Sequence, residues 1–361
     1  MKPTQQLHNL GQSLWLDNIT RTMLGDRTLS GYIDELSVTG LTSNPTIFDK
    51  AISGGDAYDE QIATVNSSAG STEDLFFELA LTDLREAADL FVPTHRRTDG
   101  VDGWVSLEVS PLLADAAADT IEQAARLHQQ GDRDNLYIKI PGTEAGRIAI
   151  EESIFAGIAI NVTLLFSAGQ CEAAADAYMR GLERRIEAGL NAAVPSVASI
   201  FISRWDKAVM GQVPDELRNR LGIAVAKRAY RAYRDLLDSP RWQRLANEGA
   251  RPQRLLFAST GTKDPDASDV LYIESLLAPF TINTTPDTTL EAFADHGVVG
   301  EVLPRNGGDA DEVLTEFGAA GVDVDALAEQ LQEEGKESFS KSWADLLKTI
   351  ESERDRLGAT R

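Results

Sequence analysis

The sequence predicts an α/β fold, and specifically a (β/α)8 barrel with additional helices, including a C-terminal helical extension. Short apolar or β-branched segments alternate with longer segments of helical periodicity, and eight of the short segments can be counted. Polar residues that could carry chemistry come at the ends of these short segments, where the active site of such a barrel lies. An open, doubly wound sheet is the alternative, because a strand count does not show closure.

The strands and helices can be assigned from the apolar pattern and from capping signals. The predicted strands are residues 13–17, 38–43, 104–109, 135–140, 158–163, 197–202, 254–259 and 280–283. Helical patterns are expected from Ser71 onward and over residues 112–130, 143–154, 167–189, 216–237 and 268–277. The long connection between the second and third strands predicts extra helices there.

Residues 1–361 are expected to form a single barrel domain, with residues 290–361 as a helical extension packed on the barrel. In that extension Phe339, Trp343, Leu346 and Leu347 recur at helical spacing, so they share one apolar face. We find no internal repeat, low-complexity tract or proline-rich linker that would divide the chain.

The composition excludes several classes of partner. The chain of 361 residues has 57 acidic and 34 basic residues, a formal net charge of −23. Such a charge repels nucleic acids and anionic membranes, so neither is an expected partner. A small phosphorylated substrate remains possible, because it needs only a few local cations. The sequence leaves open whether the chain is a monomer or a homodimer.

No metal and no organic cofactor are expected. Cys171 is the only cysteine, and the four histidines are scattered without metal-ligand spacing. The sequence contains neither a glycine-rich dinucleotide motif nor a P-loop. The N-terminus lacks an apolar signal region, and no apolar run is long enough to span a membrane. We therefore expect a cytoplasmic enzyme without a cofactor.

Lys139 interrupts the apolar run of the fourth predicted strand. Residues 135–143 read Asn-Leu-Tyr-Ile-Lys-Ile-Pro-Gly-Thr, a pattern typical of a strand buried on both faces and ended by Pro141 and Gly142. Burial disfavours the charged form of a lysine, and an uncharged amine can attack a carbonyl carbon. Lys139 is therefore a candidate for Schiff-base formation. The alternative is a lysine that reaches solvent from the strand end or pairs with a carboxylate.

Asp17 and Glu108 are the candidate acid and base groups. Each follows apolar strand residues, which places a partly desolvated carboxylate at the mouth of the barrel. Imine chemistry needs one group that shuttles protons as the imine forms and another that takes a hydroxyl proton during carbon–carbon cleavage. Either residue alone could instead cap a helix or pair with an arginine, but the set of three points to a site.

Other polar strand ends predict a binding site for a phosphorylated polyol. Candidate hydrogen-bonding groups are Asn44, Asn161, Thr163 and Ser199, and Phe201 shares the strand face of Ser199. Arg204 and Lys263 follow late strands, where cations commonly hold phosphate. Lys263 could equally be an ordinary loop lysine.

These motifs together resemble the transaldolase family. The resemblance runs from Leu14 to Asn283 and depends on Leu-Thr-Ser-Asn-Pro-Thr at 41–46, Ser-Leu-Glu-Val-Ser at 106–110, and Tyr-Ile-Lys-Ile-Pro-Gly-Thr at 137–143. Leu-Asp at 16–17, Ile-Asn-Val-Thr-Leu-Leu-Phe at 160–166, and Val-Ala-Ser-Ile-Phe-Ile-Ser-Arg at 197–204 complete it. The length and the C-terminal extension are similar to the long bacterial branch.

The resemblance implies the transfer of a dihydroxyacetone unit from a ketose phosphate (sedoheptulose 7-phosphate or fructose 6-phosphate) to an aldose phosphate (glyceraldehyde 3-phosphate or erythrose 4-phosphate), in the pentose phosphate pathway. It implies that Lys139 forms the Schiff base, that Asp17 takes the proton of the C4 hydroxyl, and that Glu108 works through a water during imine formation. Asn44, Asn161, Thr163 and Ser199 match the polar ring, and Arg204 matches a phosphate ligand.

The chain departs from better-known members of the family after the seventh strand. Residues 257–263 read Phe-Ala-Ser-Thr-Gly-Thr-Lys, where those relatives carry a serine with an arginine close behind. Ser259 and Lys263 are therefore assigned by position. Two alternatives stay open: a hydrolytic fructose 6-phosphate aldolase, whose known examples are shorter, and a sugar-phosphate-binding barrel without activity.

Overall fold

The computed structural model describes residues 1–65 and 70–358. The strands are β1 (Ser13–Leu16), β2 (Val38–Leu41), β3 (Val105–Glu108), β4 (Leu136–Pro141), β5 (Ile160–Leu165), β6 (Ser196–Phe201), β7 (Gln253–Ala258) and β8 (Ile282–Thr285). The helices before β6 are α1 (Pro3–Asn9), α2 (Arg21–Gly25), α3 (Thr28–Leu36), α4 (Pro45–Ser53), α5 (Asp59–Val65), α6 (Thr72–Arg97), α7 (Ala117–Gly131), α8 (Glu144–Ala156) and α9 (Ala168–Glu187). Those after β6 are α10 (Ser203–Val209), α11 (Leu221–Asp238), α12 (Pro240–Asn247), α13 (Leu271–Ser275), α14 (Asp287–His296), α15 (Ala310–Ala319) and α16 (Val324–Gly358).

The eight strands form one parallel sheet that closes into a barrel. Their order is β2-β1-β8-β7-β6-β5-β4-β3. The two outer strands meet at Gly40 and Trp104, which form a parallel bridge. Across this join the Leu41 N–H donates to the Trp104 carbonyl at 2.9 Å and the Gly103 N–H donates to the Thr39 carbonyl at 2.7 Å. The (β/α)8 prediction is confirmed, and the open-sheet alternative is wrong.

Gly40 is required at the join because the backbone there lies against two tryptophans. A Cβ atom at this position would come within 2.7 Å of the Trp15 ring and 2.8 Å of the Trp104 carbonyl oxygen. Only glycine permits so close an approach.

Two strands lie two residues later than predicted. β8 begins at Ile282 because Phe280 has φ of +66° and its side chain is 62% exposed. β5 runs on to Leu165 rather than ending at Thr163, with a register shift between Val162 and Leu165. The predicted helix over 216–237 is divided by Asn219, whose φ of +60° separates a short 3₁₀ turn from α11.

The long helix α16 packs across helices that follow the early strands. Its Ser342 hydroxyl accepts a hydrogen bond from Thr46 at 2.9 Å, and its Thr349 hydroxyl donates to Asp49 at 2.6 Å. The apolar face predicted for this helix is largely buried: the ring of Trp343 lies 5.0 Å from that of Phe76. The last three residues of the predicted extension lie outside the described residues. Within the described ranges no helix has the length and apolar character needed to cross a bilayer.

Candidate active site

A cavity of about 560 Å³ opens at the carboxyl ends of the strands. Nine of the eleven predicted site residues line it: Asp17, Asn44, Lys139, Thr163, Ser199, Phe201, Arg204, Ser259 and Lys263. Glu108 and Asn161 are buried beside the cavity. Glu108 contacts Lys139 and Asn161 contacts Ser199, and both of those partners line the cavity. The residues converge because parallel strands deliver their carboxyl ends to one rim.

Lys139 lies in the middle of β4 with its amine enclosed by protein. Its side chain is 7% exposed, and its Nζ atom donates to the Ser43 carbonyl oxygen at 3.0 Å and to Glu108 Oε2 at 3.1 Å. Strand register explains the pairing, because Glu108 on β3 is the neighbour of Lys139 on β4. The carboxylate pairing that the sequence offered as an alternative is therefore present. Lys139 nevertheless lines the cavity, as a Schiff-base lysine must.

Asp17 follows β1 and is held by a neighbouring hydroxyl. Its Oδ1 atom accepts a hydrogen bond from Thr42 at 2.8 Å, and its backbone N–H donates to the Thr285 carbonyl at 2.8 Å. Burial raises the pKa of the Asp17 carboxyl, against the opposing effects of Lys139 and of the Thr42 hydrogen bond.

Burial also raises the pKa of Glu108, and the adjacent Lys139 charge opposes that rise. A carboxyl that binds its proton more tightly than in water is better matched to proton exchange at neutral pH. The amine of Lys139 thus has one such group in direct contact and a second, Asp17, on the same cavity wall.

Asn161 connects hydroxyls on two other strands. Its Nδ2 atom donates to Ser106 Oγ at 3.2 Å, and its Oδ1 atom accepts from Ser199 Oγ at 2.7 Å. Thr163, two residues along β5, lines the cavity, and its buried Oγ1 atom has no hydrogen-bond partner among the described residues. A buried hydroxyl without a partner is costly, so Thr163 is suited to bind a polar ligand.

Asn44 caps a helix as well as facing the cavity. Its Oδ1 atom accepts a hydrogen bond from the Ile47 N–H at 3.1 Å at the start of α4. This capping role uses only the amide oxygen. The amide NH₂ group remains available toward the cavity.

The cationic end of the cavity combines Arg204, Lys263 and Ser259. Burial lowers the pKa of Arg204, and burial together with the nearby Lys207 charge lowers that of Lys263. Ser259 has φ of +56°, and its hydroxyl lies 2.9 Å from that of Ser203. Neither Arg204 nor Lys263 has a carboxylate partner within the described ranges, although the chain as a whole is strongly acidic.

Several residues of this site were not predicted from the sequence. The backbone carbonyl of Ser43 contacts the Lys139 amine, and a carbonyl leaves no sequence signal. Asp287 lines the cavity and accepts a hydrogen bond from Asn18 at 2.7 Å; it follows the eighth strand and could have been found by the strand-end rule. Phe339 also lines the cavity, from a helix far along the chain.

The described side chains contain no group of three or more His, Cys, Asp or Glu residues arranged to hold a metal ion. The polar groups of the cavity are an amine, carboxyls, hydroxyls, amides and cations. Such a set suits covalent and acid–base chemistry on a hydroxylated, anionic substrate.

The chain is similar to proteins of one family over almost its whole length. The model of the family "Transaldolase/Fructose-6-phosphate aldolase" matches residues 14–350. The chain is 44% identical to the transaldolase of Parafrankia sp. (strain EAN1pec), with 99% of each chain aligned. It is 43% identical to the transaldolase of Thiobacillus denitrificans, over 97% of this chain and 100% of that one. The Mycobacterium tuberculosis (strain H37Rv) transaldolase is 42% identical, over 96% of this chain and 95% of that protein.

Proposed function

The chain belongs to the transaldolase/fructose-6-phosphate aldolase family and acts as a transaldolase, and we propose that Lys139 forms its covalent intermediate with the donor ketose. The observation that carries this proposal is the placement of the Lys139 amine. It lies buried on the cavity wall, 3.1 Å from the Glu108 carboxylate, and Asp17 lines the same cavity. A site that only bound sugar would not need an amine that is desolvated in this way.

In the proposed first step, the Lys139 nitrogen bonds to the ketone carbon of the donor. Glu108 takes one proton from the Lys139–Glu108 pair, which leaves the amine free to attack, and a second proton passes from the bonded nitrogen to the former ketone oxygen to give the carbinolamine. The raised pKa of Glu108 suits it to return the first proton to the carbinolamine hydroxyl, which leaves as water. The product is an iminium that joins Lys139 to the sugar. The family resemblance implies that a water relays this proton.

Asp17 is proposed to perform the cleavage. It takes the proton of the C4 hydroxyl while the C3–C4 bond breaks, and the electrons of that bond pass into the iminium to give an enamine on Lys139. An aldose phosphate leaves. The enamine then attacks the aldehyde carbon of a second aldose phosphate, and the same steps run in reverse, so that a dihydroxyacetone unit is transferred.

The polyol and the phosphate are proposed to bind at opposite ends of the cavity. The Thr163 hydroxyl, which has no hydrogen-bond partner among the described residues, and the Asn44 amide support the assignment of hydrogen-bonding residues. Asn161 holds Ser199 in place through a hydrogen bond. Arg204 and Lys263, which lack carboxylate partners in the described part of the chain, support a phosphate site that Ser259 and the Phe201 ring complete.

We also propose a cytosolic location and sugar phosphates as the small-molecule partners. The net charge of −23 and the single cysteine support the cytosolic location. The cavity cations, which have no ion pair within the described part of the chain, support sugar phosphates as partners. That residues 1–361 form a single domain stays a prediction, which the packing of α16 on α4 supports.

The proposal is tested by comparing turnover of the wild type with that of Lys139→Ala, with sedoheptulose 7-phosphate as donor and glyceraldehyde 3-phosphate as acceptor. We expect Lys139→Ala to lose turnover while far-ultraviolet circular dichroism shows an intact fold. Unchanged turnover would remove Lys139 from the mechanism. Release of free dihydroxyacetone as fast without the acceptor as with it would favour the hydrolytic aldolase instead.

A further inference from the structure

The Arg204 guanidinium is held by aromatic rings instead of carboxylates. Its Cζ atom lies 5.1 Å from the ring centre of Phe201 and 5.6 Å from that of Phe339. Within residues 1–65 and 70–358, its side chain has no ion pair and no hydrogen bond to protein. A guanidinium can contact a ring and still keep in-plane N–H groups for an anion, so this arrangement leaves donors free toward the cavity.

Phe339 reaches Arg204 because the helix α16 lies close to the carboxyl end of β5. Gln332 donates a hydrogen bond to the Leu164 carbonyl at 2.9 Å. One turn before Phe339, a Cβ atom added at Gly335 would lie 2.9 Å from the Leu164 side chain and 3.4 Å from the Arg204 Nη1 atom. The helix is therefore docked directly beside the guanidinium, and Gly335 permits that approach.

We propose that Phe339 is a positioning residue of the phosphate site, and that the C-terminal helix thereby forms part of the active site. Phe339 and Phe201 hold the Arg204 guanidinium in one orientation, with its N–H donors directed to the phosphate of the sugar. The inference rests on the proposed function in one respect, namely that the anion bound by Arg204 is the substrate phosphate.

An aromatic ring at position 339 attracts the Arg204 guanidinium, which an aliphatic side chain of similar size would not do. Arg204 is within electrostatic reach of two carboxylates, Glu108 and Glu334, each of which acts on its pKa. The negative face of the Phe339 ring attracts the guanidinium without neutralising it. If that attraction were removed, the flexible Arg204 side chain would be free to turn to Glu334. Its positive charge would then no longer be available to bind the phosphate.

The experiment compares wild type, Phe339→Leu and Phe339→Tyr. Glyceraldehyde 3-phosphate and unphosphorylated glyceraldehyde serve as alternative acceptors with saturating sedoheptulose 7-phosphate, which releases erythrose 4-phosphate with either acceptor. In Phe339→Leu we expect KM for the phosphorylated acceptor to rise about 3- to 10-fold, the scale of one cation–π contact. We expect kcat for that acceptor and kcat/KM for glyceraldehyde to stay within about twofold. Phe339→Tyr, which keeps the ring face, should restore KM.

Trp343→Phe is the matched control, because it changes a buried ring one turn further along α16 that packs on Phe76 and Phe77. It should leave the preference for the phosphorylated acceptor unchanged. An equal loss of kcat/KM for both acceptors in Phe339→Leu would assign Phe339 a merely structural role and overturn the inference. Wild-type KM in Phe339→Leu would overturn it too.

Binding of inorganic phosphate, measured by calorimetry, separates this inference from the proposed function because it needs no turnover. Weaker binding in Phe339→Leu with recovery in Phe339→Tyr supports the role of Phe339 even if Lys139 forms no adduct. Equal phosphate binding by all three proteins, with a Lys139 adduct present in each, overturns the inference and leaves the proposed function intact.

Discussion

The Thr42 hydroxyl donates a hydrogen bond to the Asp17 carboxylate at 2.8 Å, on the wall of the cavity that Lys139 also lines. This bond stabilises the charged form of Asp17 and so opposes the rise in its pKa that burial causes. The account requires Asp17 as a carboxylate when it takes the proton of the C4 hydroxyl. Thr42 is therefore expected to set the lower pH limit of activity.

Thr42→Val should raise the pKa of Asp17 further, because the carboxylate loses a hydrogen bond. The acid limb of the profile of kcat/KM against pH should move to higher pH, and the rate on that limb should fall about tenfold. Thr39→Val is the control, since its hydroxyl on the same strand contacts the Leu14 carbonyl and not Asp17. An acid limb that stays in place in Thr42→Val would show that Asp17 is not the titrating base.

Asp17→Asn should separate imine formation from cleavage. The amide cannot take the C4 hydroxyl proton, but Glu108 still contacts the Lys139 amine at 3.1 Å. We therefore expect borohydride to trap the complete six-carbon sugar phosphate on Lys139 of this variant, whereas the wild type also yields the three-carbon adduct. The masses of the labelled peptides distinguish the two. A three-carbon adduct in Asp17→Asn, formed as fast as in the wild type, would contradict the role of Asp17.

Asp206 should make the stability of the protein depend on pH. Burial raises its pKa from 3.8 to about 6, although the Leu221 and Gly222 N–H groups and the Tyr272 hydroxyl donate to it. Because the folded chain binds this proton more tightly, the associated stability is present at low pH and is lost as pH rises through about 6.

Relative to Asp206→Asn, the wild type should lose about 1 kcal/mol of unfolding free energy between about pH 5 and about pH 7.5. Urea denaturation at both pH values measures this. Asp264→Asn is the control. The pKa of Asp264 is lowered, so its contribution to the free energy of unfolding is fully present over that whole pH range. A difference between wild type and Asp206→Asn that does not change with pH would contradict the raised pKa.

At the opposite end of the barrel, Asp102 should matter for stability alone. It accepts hydrogen bonds from Ser13 Oγ at 2.5 Å and from the Trp15 ring at 3.0 Å, and it lies 3.4 Å from Arg254. Both charged side chains are nearly buried, so Asp102→Ala leaves an uncompensated charge and should cost about 3–5 kcal/mol.

The control for Asp102 is Asp99→Ala, which removes the exposed partner of Arg251 and should cost less than about 1 kcal/mol. Chemical denaturation gives both values. KM of the folded Asp102→Ala protein should match that of the wild type, because this end of a barrel contributes to stability and does not contact substrate. Equal destabilisation in both variants would contradict the account of the buried pair.

Much of the fold and site follows from the sequence because both obey local rules. The alternation of strands and helices predicted the barrel, and the strand-end rule brought Asp17 and Lys139 to one cavity. The start of β8 was displaced because Phe280 has positive φ, and β5 runs on through a register shift that contains Leu164, which also has positive φ. Neither backbone conformation leaves a signal in the apolar pattern.

The contribution of α16 to the site could not be predicted in this way. The spacing of Phe339 and Trp343 indicated an apolar helix face, but not what that face would cover. The position of the helix is fixed by contacts distant in sequence, such as Thr46 with Ser342 and Gln332 with Leu164. Trp343 meets α6, while Phe339 meets the cavity. Periodicity assigns a face to a helix and leaves its partner open.

The central claim, that the buried amine of Lys139 bonds to the donor ketone, is tested most directly by borohydride reduction in the presence of fructose 6-phosphate followed by peptide mass mapping. The account predicts a stable adduct on Lys139, formed only when the sugar is present and absent from Lys139→Ala. An adduct on another lysine, or no adduct in a protein that turns over, would contradict it.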